Sequence, residues 1–249
     1  MRTGVLAVIP ARLGSSRFAR KVLYEHEGKP LLYYVWRRVC RSKQVDRVVV
    51  ATDSQQIATV VQSFGGEFVF TSKRHKTGSD RVAEAASKLG AGMVVNVQGD
   101  TVGLDPRQLD RLIGSARESK GKLQADCFSL ARPIASVSEL TDTNVVKVVV
   151  GANGQARWFS RLPIPYLQHS SKQQTIQRHR FLAHIGIYLF SRKSLEQFAS
   201  WKRTPCEKAE SLEQLRILEN NRTIRVLLTR KGITSIDRPE DLKKVSDKI

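Results

Sequence analysis

Gly4-Val5-Leu6-Ala7-Val8-Ile9 runs straight into Pro10-Ala11-Arg12-Leu13-Gly14-Ser15-Ser16-Arg17-Phe18-Ala19-Arg20-Lys21. The opening residues are small or apolar without a helical period, which predicts a short buried strand over Gly4–Ile9. The continuation reads as a loop: Gly14 and two serines loosen the chain, and Arg12, Arg17, Arg20 and Lys21 crowd it with cations. In α/β proteins the loop at the carboxyl end of a strand is where ligands sit. Guanidinium and ammonium groups there offer charge-assisted donors to phosphate oxygens, and backbone N–H groups near glycine and serine add more. Composition alone is equally met by a solvated basic loop. The spacing is neither that of the Walker loop nor Gly-x-Gly-x-x-Gly, so nucleotide folds built on those loops lose weight.

Outward from this stretch, strands and helices alternate. Strands are expected at Arg47–Ala51, Glu67–Phe70 and Met93–Val97, with helices at Pro30–Cys40, Gln55–Phe64 and Asp80–Leu89 between them. Short buried strands separated by helices of about ten residues imply βαβ units and a mostly parallel sheet, hence an α/β fold. The loop after Ile9 and the segment after Val97 are then the first places to look for a site. The second half is less regular. Val145–Val150 and Ala156–Phe159 flank Gly151-Ala152-Asn153-Gly154, a hairpin signal. His169 to Arg180 has no apolar period and reads as a mobile loop, and Ala183–Phe190 reads as a strand. Thr204-Pro205-Cys206-Glu207 opens a helix with a capping box, and Asp237-Arg238-Pro239-Glu240 does the same for a last helix. With no internal repeat or low-complexity linker, one continuous domain with an inserted or appended lobe is expected.

Bulk properties narrow the class. A chain of 249 residues with 41% hydrophobic and 26% charged residues can bury a real core and is not of disordered composition. No apolar run approaches the ~20 residues that span a bilayer, and the early strand leaves no room for a cleavable signal. Cys40, Cys127 and Cys206 are odd in number and widely spaced, which fits a reducing compartment better than a disulfide framework or a zinc site. The five histidines have no metal-ligand spacing either. The net charge of +19 suits a polyanion partner, or a basic surface around a site for anionic small molecules. The cations are spread along the chain, and no nucleic-acid-binding motif accompanies them, so charge alone does not make nucleic acid the expected physiological partner.

Several further segments complete a pattern: Gly28-Lys29-Pro30-Leu31, Ala51-Thr52-Asp53, His75-Lys76-Thr77-Gly78-Ser79-Asp80-Arg81, Asn96-Val97-Gln98-Gly99-Asp100 and Val146-Lys147-Val148-Val149. Phe159-Ser160-Arg161, His184-Ile185-Gly186-Ile187-Tyr188, Leu212-Glu213-Gln214-Leu215-Arg216 and Asp237-Arg238-Pro239-Glu240-Asp241-Leu242 follow in order. With the opening loop, which reads P-A-R-x-x-S-x-R-x-x-x-K, they resemble the sugar-acid cytidylyltransferases over nearly the whole chain, and most closely the 3-deoxy-manno-octulosonate (Kdo) cytidylyltransferases, or CMP-Kdo synthetases.

The resemblance implies a Rossmann-like, mixed but mostly parallel sheet of the nucleotidyltransferase type. A nucleotide-binding half would occupy about 1–125, a smaller sugar-binding and dimerisation lobe about 126–225, and 226–249 would return to the main sheet. It implies a cytoplasmic homodimer that uses magnesium to join the anomeric hydroxyl of Kdo to the α-phosphate of CTP, releasing pyrophosphate and giving CMP-Kdo for lipopolysaccharide-type glycan assembly. Positioning and charge neutralisation carry such chemistry. Arg12 and Lys21 match the phosphate-holding positions, with Arg17 and Arg20 as assistants or solvated neighbours. Pro10, Ala11, Thr77, Gly78, Arg81 and Gln98 would line the cytosine and ribose pocket. Asp100 and Asp237 match the magnesium ligands, a role apt for hard carboxylate oxygens. Asp237 is also a natural helix N-cap, and Asp100 an ordinary strand-end turn residue. Arg161, His184, Tyr188, Glu213 and Gln214 match positions around the sugar acid. His184 read alone would be a satisfied half-buried histidine, Tyr188 a core aromatic, and Glu213 the exposed face of a helix whose apolar side is Leu212, Leu215 and Leu218. No protein general base is expected.

Two departures from the family pattern stand out. Thr101-Val102-Gly103 follows Asp100 where the family continues with Glu-Pro, and Val22 stands where Pro follows the lysine. They leave open another sugar acid, such as 8-amino-Kdo or a sialic acid, and a catalytically impaired basic nucleic-acid-binding protein on the same scaffold.

Overall fold

The structure is a computed structural model that describes residues 4–14, 20–118, 125–168, 175–230, 232 and 236. In chain order come β1 (Val5–Ala11), β2 (Glu25–His26), β3 (Lys29–Pro30), α1 (Leu31–Cys40), β4 (Arg47–Thr52), α2 (Gln55–Ser63) and β5 (Glu67–Phe70). Then follow α3 (Gly78–Leu89), β6 (Met93–Val97), α4 (Pro106–Glu118), β7 (Cys127–Pro133), α5 (Val137–Thr141), β8 (Lys147–Val150), β9 (Ala156–Ser160) and α6 (Thr175–Arg178). The described elements close with β10 (Leu182–Ser191), α7 (Arg192–Ser200), α8 (Pro205–Glu210), α9 (Leu215–Glu219) and β11 (Ile224–Leu228). A single 3-10 turn covers Lys21–Leu23.

The chain divides into two compact units. One comprises Met1–Ser119, Ile187–Ala199 and Ile233–Ile249, and the other Lys120–Gly186 and Ser200–Gly232. The boundaries are more interleaved than the halves expected from sequence, because Ile187–Ala199 returns to the first unit while β11 stays in the second. Asp237 and the helix expected after it lie outside the described residues.

In the first unit β1 sits between β4 and β6, parallel to both, and β4 pairs in parallel with β5. The Ile187–Ser191 half of β10 adds an antiparallel edge to β6. Strands covered on both faces need continuous apolar runs, and Val5–Ile9, Val49–Ala51 and Val94–Val95 are at most 3% exposed. The helices bury one stripe each: Leu31, Leu32 and Val35 on α1, Ile57, Ala58 and Val61 on α2, and Leu109, Leu112 and Ile113 on α4. Ser54 and Thr77 cap α2 and α3, their hydroxyls accepting from Ile57 N and Asp80 N.

In the second unit β7 pairs in parallel with β11, and β8 and β9 form the expected hairpin. Gly154 closes that turn with φ +77, a conformation glycine adopts without a Cβ penalty. The capping box at Thr204 is present in both directions. The mobile loop expected over His169–Arg180 needs correction where it can be seen. Residues 175–178 form α6, whose Ile176 packs on the cluster of Ile134, Leu140, Phe181 and Ala183. One apolar side chain anchors this turn, too little to show as a sequence period.

The second unit also buries an ion pair. Arg216 and Glu207 are each 1% exposed, with Nε to Oε2 at 2.9 Å and NH2 to Oε1 at 2.6 Å. Glu207 also accepts from Arg203 Nε and Thr204 N. Removing Arg216 takes from the buried Glu207 its closer cation and leaves it the longer contact to Arg203, so Arg216→Met should destabilise the protein, by up to about 3–5 kcal/mol. Urea denaturation is the measurement, and a loss below about 1 kcal/mol would contradict this reading.

Candidate active site

The parallel register brings the carboxyl ends of β1, β4, β5 and β6 to one edge of the first unit. Arg12 follows β1, Asp53 follows β4, the Thr71–Thr77 loop follows β5, and Gln98 and Asp100 follow β6. The basic loop is closed by a hydrogen bond from Arg20 N to the Leu13 carbonyl at 3.2 Å, with Arg20 in the left-handed region at φ 55. Arg17 lies outside the described residues.

A cavity of about 130 Å³ opens along this edge. Pro10, Ala11 and Arg12 from the end of β1, His75 and Thr77 from the loop after β5, Gly78 and Arg81 from α3, and Gln98 after β6 line it. Each residue expected in the cytosine and ribose pocket therefore lines one cavity. Gly78 is closely packed, since a Cβ there would come 3.3 Å from Gln98 Oε1 and 3.4 Å from Pro10 Cγ and would press on both. The Gln98 amide lies 3.5 Å from the buried Asn96 Oδ1, and Asn96 Nδ2 donates to Ser79 Oγ in the first turn of α3. Arg81 is 3% exposed, and its guanidinium is fixed by Asp53 Oδ2 at 2.7 Å and Thr71 Oγ1 at 2.5 Å. A second, wider cavity of about 580 Å³ shares Arg12, His75 and Arg81 with the first and extends to Ser54, Gln55 and Lys73.

Beside the first cavity, Lys21 Nζ lies 2.6 Å from Asp100 Oδ2, the two side chains 12% and 26% exposed. The expected phosphate lysine and the expected metal carboxylate thus neutralise each other. The backbone N–H of Ile236 donates to the Asp100 carbonyl at 3.1 Å. Chain returning from the far end of the sequence thereby reaches the Asp100 turn, while Asp237 itself lies outside the described residues. Val22 is buried and would be met at 3.3 Å by a Cβ on Gly99, so it packs under the turn that presents Asp100. Thr101 is 6% exposed and Val102 fully buried.

The residues expected around a sugar acid are not all brought together. In the second unit His184 Nε2 is 2.8 Å from Ser129 Oγ, its Nδ1 is 3.5 Å from Gln214 Nε2, and its ring meets Phe159 edge-on. Arg161 is committed elsewhere, its Nε donating to the Glu210 carbonyl at 2.7 Å and NH1 to the Thr143 carbonyl at 2.9 Å. Glu213 precedes α9 instead of lying on its face. Gln214 is the N-cap, and the buried side includes Arg216 and Ile217, with Leu218 only half-buried. Tyr188 belongs to the first unit, buried opposite Asn96 in the β10–β6 ladder. His75 carries no role in the sequence reading, although it stands in a quoted motif. Its signal there is a lone imidazole one turn before the basic and small residues of α3.

A family profile described as cytidylyltransferase matches residues 6–224. The 3-deoxy-manno-octulosonate cytidylyltransferase of Geobacter sulfurreducens is 40% identical over 250 residues, covering 98% of this chain and 99% of the relative. The enzyme of the same name from Chlorobium limicola is 40% identical over 240 residues, covering 96% and 94%. Among solved structures, a CMP:2-keto-3-deoxy-manno-octonic acid synthetase complexed with CTP superposes with a TM-score of 0.89 at 34% identity, covering 98% of each chain. A putative glucose-1-phosphate thymidylyltransferase from Bacillus anthracis shares the fold, with a TM-score of 0.67 at 14% identity over 98% of this chain and 94% of that one.

Burial pushes the His184 pKa down to about 3, so the ring is neutral when folded. In the unfolded chain it gains a proton near pH 6.5. Between these values the unfolded state binds the extra proton, so acid favours unfolding. The urea midpoint should fall as pH drops from about 6.5 toward 3, and His184→Asn should flatten that part of the profile. An unchanged slope in the variant would remove His184 as the cause.

Proposed function

The chain belongs to the cytidylyltransferase family, and from its end-to-end match to the 3-deoxy-manno-octulosonate members we infer that it joins CMP from CTP to Kdo, giving CMP-Kdo and pyrophosphate. The observation that carries this reading is the coincidence of the cavity between β1, α3 and Gln98 with the Lys21–Asp100 pair beside it. A cavity of small and flat walls suits a pyrimidine ring, and Arg12 at its mouth suits phosphate oxygens.

The residues present fit a magnesium ion. Among the described residues no cluster of three potential ligands exists, but Asp100 offers a hard carboxylate, and magnesium commonly takes one or two carboxylates with phosphates and waters. Asp100, with Asp237, would hold it, and when bound the cation would neutralise charge building up on the phosphates. Lys21 and Arg12 would bind and orient the triphosphate so that its α-phosphorus lies open to the sugar hydroxyl. A triphosphate drawing Lys21 away would leave the Asp100 carboxylate for the cation. Attack by the sugar hydroxyl oxygen forms the new C–O–P bond, the hydroxyl proton passing to water, as pyrophosphate leaves with the electrons of the broken P–O bond. The second-unit group of His184, Gln214 and Glu213 is the proposed sugar-acid set; Arg161, whose donors are spent on backbone carbonyls, and the buried Tyr188 of the first unit are left out of it. A homodimer in the cytoplasm supplying lipopolysaccharide-type glycan assembly completes the reading. Among the described residues no helix is long and apolar enough to cross a membrane.

Pyrophosphate release with CTP is the test, run with Kdo, 8-amino-Kdo and a sialic acid, each with and without magnesium. Turnover should be fastest with Kdo and require the metal. Asp100→Asn should lower kcat by about a hundredfold or more while the fold, followed by circular dichroism, persists. No turnover of any sugar acid in the wild type would sink the reading.

A further inference from the structure

His75 stands where the two cavities of the first unit meet, lining both together with Arg12 and Arg81. It is held there from behind by a short hydrogen bond between its Nε2 and Glu84 Oε2. Glu84 is itself fixed, accepting from Ser72 N at 2.9 Å and pairing with Lys88 Nζ at 2.8 Å. These donors outweigh the cost of partial burial and lower its carboxyl pKa to about 2, so it stays charged at any physiological pH. Arg81 and Glu84 are three residues apart on α3 and therefore share a face. One face of a helix thus offers the cavity a cation braced from outside by Asp53, and an anion that braces a second ring at the cavity wall.

A carboxylate on one imidazole nitrogen sets the ring's orientation and leaves its other nitrogen for a ligand. A pair serving only to tie the loop after β5 to α3 would not need its ring on the wall of both cavities. The neighbours indicate which part of a ligand it meets. Pro10, Ala11, Gly78 and Gln98, the residues assigned above to the base and ribose, line the first cavity together with His75.

We propose that His75 contacts the nucleoside half of the bound nucleotide and that Glu84 is the residue that positions it, an inference that rests on the cytidine-nucleotide reading above. The test is isothermal titration of the full chain with CTP and, separately, CMP, in magnesium buffer. His75→Ala should weaken both ligands by the same factor, about tenfold, the worth of one well-placed polar contact. Glu84→Ala should weaken both about three- to fivefold, and this loss should vanish when His75 is already alanine, because Glu84 acts through the ring. If the alanine variant fails to fold, His75→Phe keeps the ring volume without the hydrogen bond and carries the same expectation. Unchanged affinities, or additive losses in the double variant, would overturn the proposal, as would a loss confined to CTP, which would place the ring on the outer phosphates. Wild-type protein that binds neither nucleotide would bring down the cytidine reading, and this proposal with it.

Discussion

The site depends on one constraint: β6, β1, β4 and β5 run parallel, so their carboxyl ends leave the sheet on one edge. Residues separated by nearly ninety positions, from Pro10 to Gln98, line one cavity for that reason. The constraint is enforced by burial, since a one-residue slip of β1 would exchange the partners of every residue from Leu6 to Ala11. Asn96 couples the core to the site. It is fully buried in β6, yet its amide nitrogen is spent on Ser79 at the start of α3, which fixes the helix that carries Gly78 and Arg81. A buried amide left without its partner would cost on the order of 1–3 kcal/mol, so this link ties the placement of the cavity wall to the stability of the sheet.

Charge is the second organising element. Around the cavity the cations are held by carboxylates of the same chain: Arg81 by Asp53, and Lys21 by Asp100. These pairs are partly desolvated, so each would be costly to break without a substitute. Under the proposed function an anionic ligand would supply that substitute for Lys21, and a hard cation would supply it for Asp100. The net charge of +19 belongs to the same logic, because a surrounding positive potential draws in anionic substrates without any nucleic-acid motif.

The sequence made the first half legible because continuous apolar runs and capping residues are local signals. Glu67–Phe70 and Met93–Val97 have the bounds their composition suggests, and the Thr204 capping box has both of its hydrogen bonds. Helix α4 was missed, although Pro106 and the Leu109, Leu112, Ile113 spacing mark its start and its apolar stripe. The parallel partner of β7 was not readable, since β11 lies almost a hundred residues away and its pairing is a tertiary fact. At the site, motif order located the cavity residues. What it missed is pairing: nothing local says that His75 meets Glu84 nine residues on, or that Arg161 spends its donors on backbone carbonyls. Side chains placed around a presumed sugar by order alone divide, in three dimensions, into those whose polar atoms meet and those already committed.

The departure after Asp100 takes on a definite meaning once packing is considered. Thr101, Val102 and Leu104 are all buried, with Thr101 N donating to the Gln98 carbonyl and Val102 N to the Asp100 carbonyl. The segment is thus a tight turn whose side chains serve as its anchor in the core. Thr and Val at these positions satisfy burial without a charge that would need its own partner. The carboxylate of Asp100, held from below by this turn and reached from outside by Lys21, keeps its place whether or not a second acid follows it. What the substitution changes is therefore the local charge beside the Lys21–Asp100 pair. The turn that presents the Asp100 oxygens is anchored in this chain by the buried Val102 and Leu104.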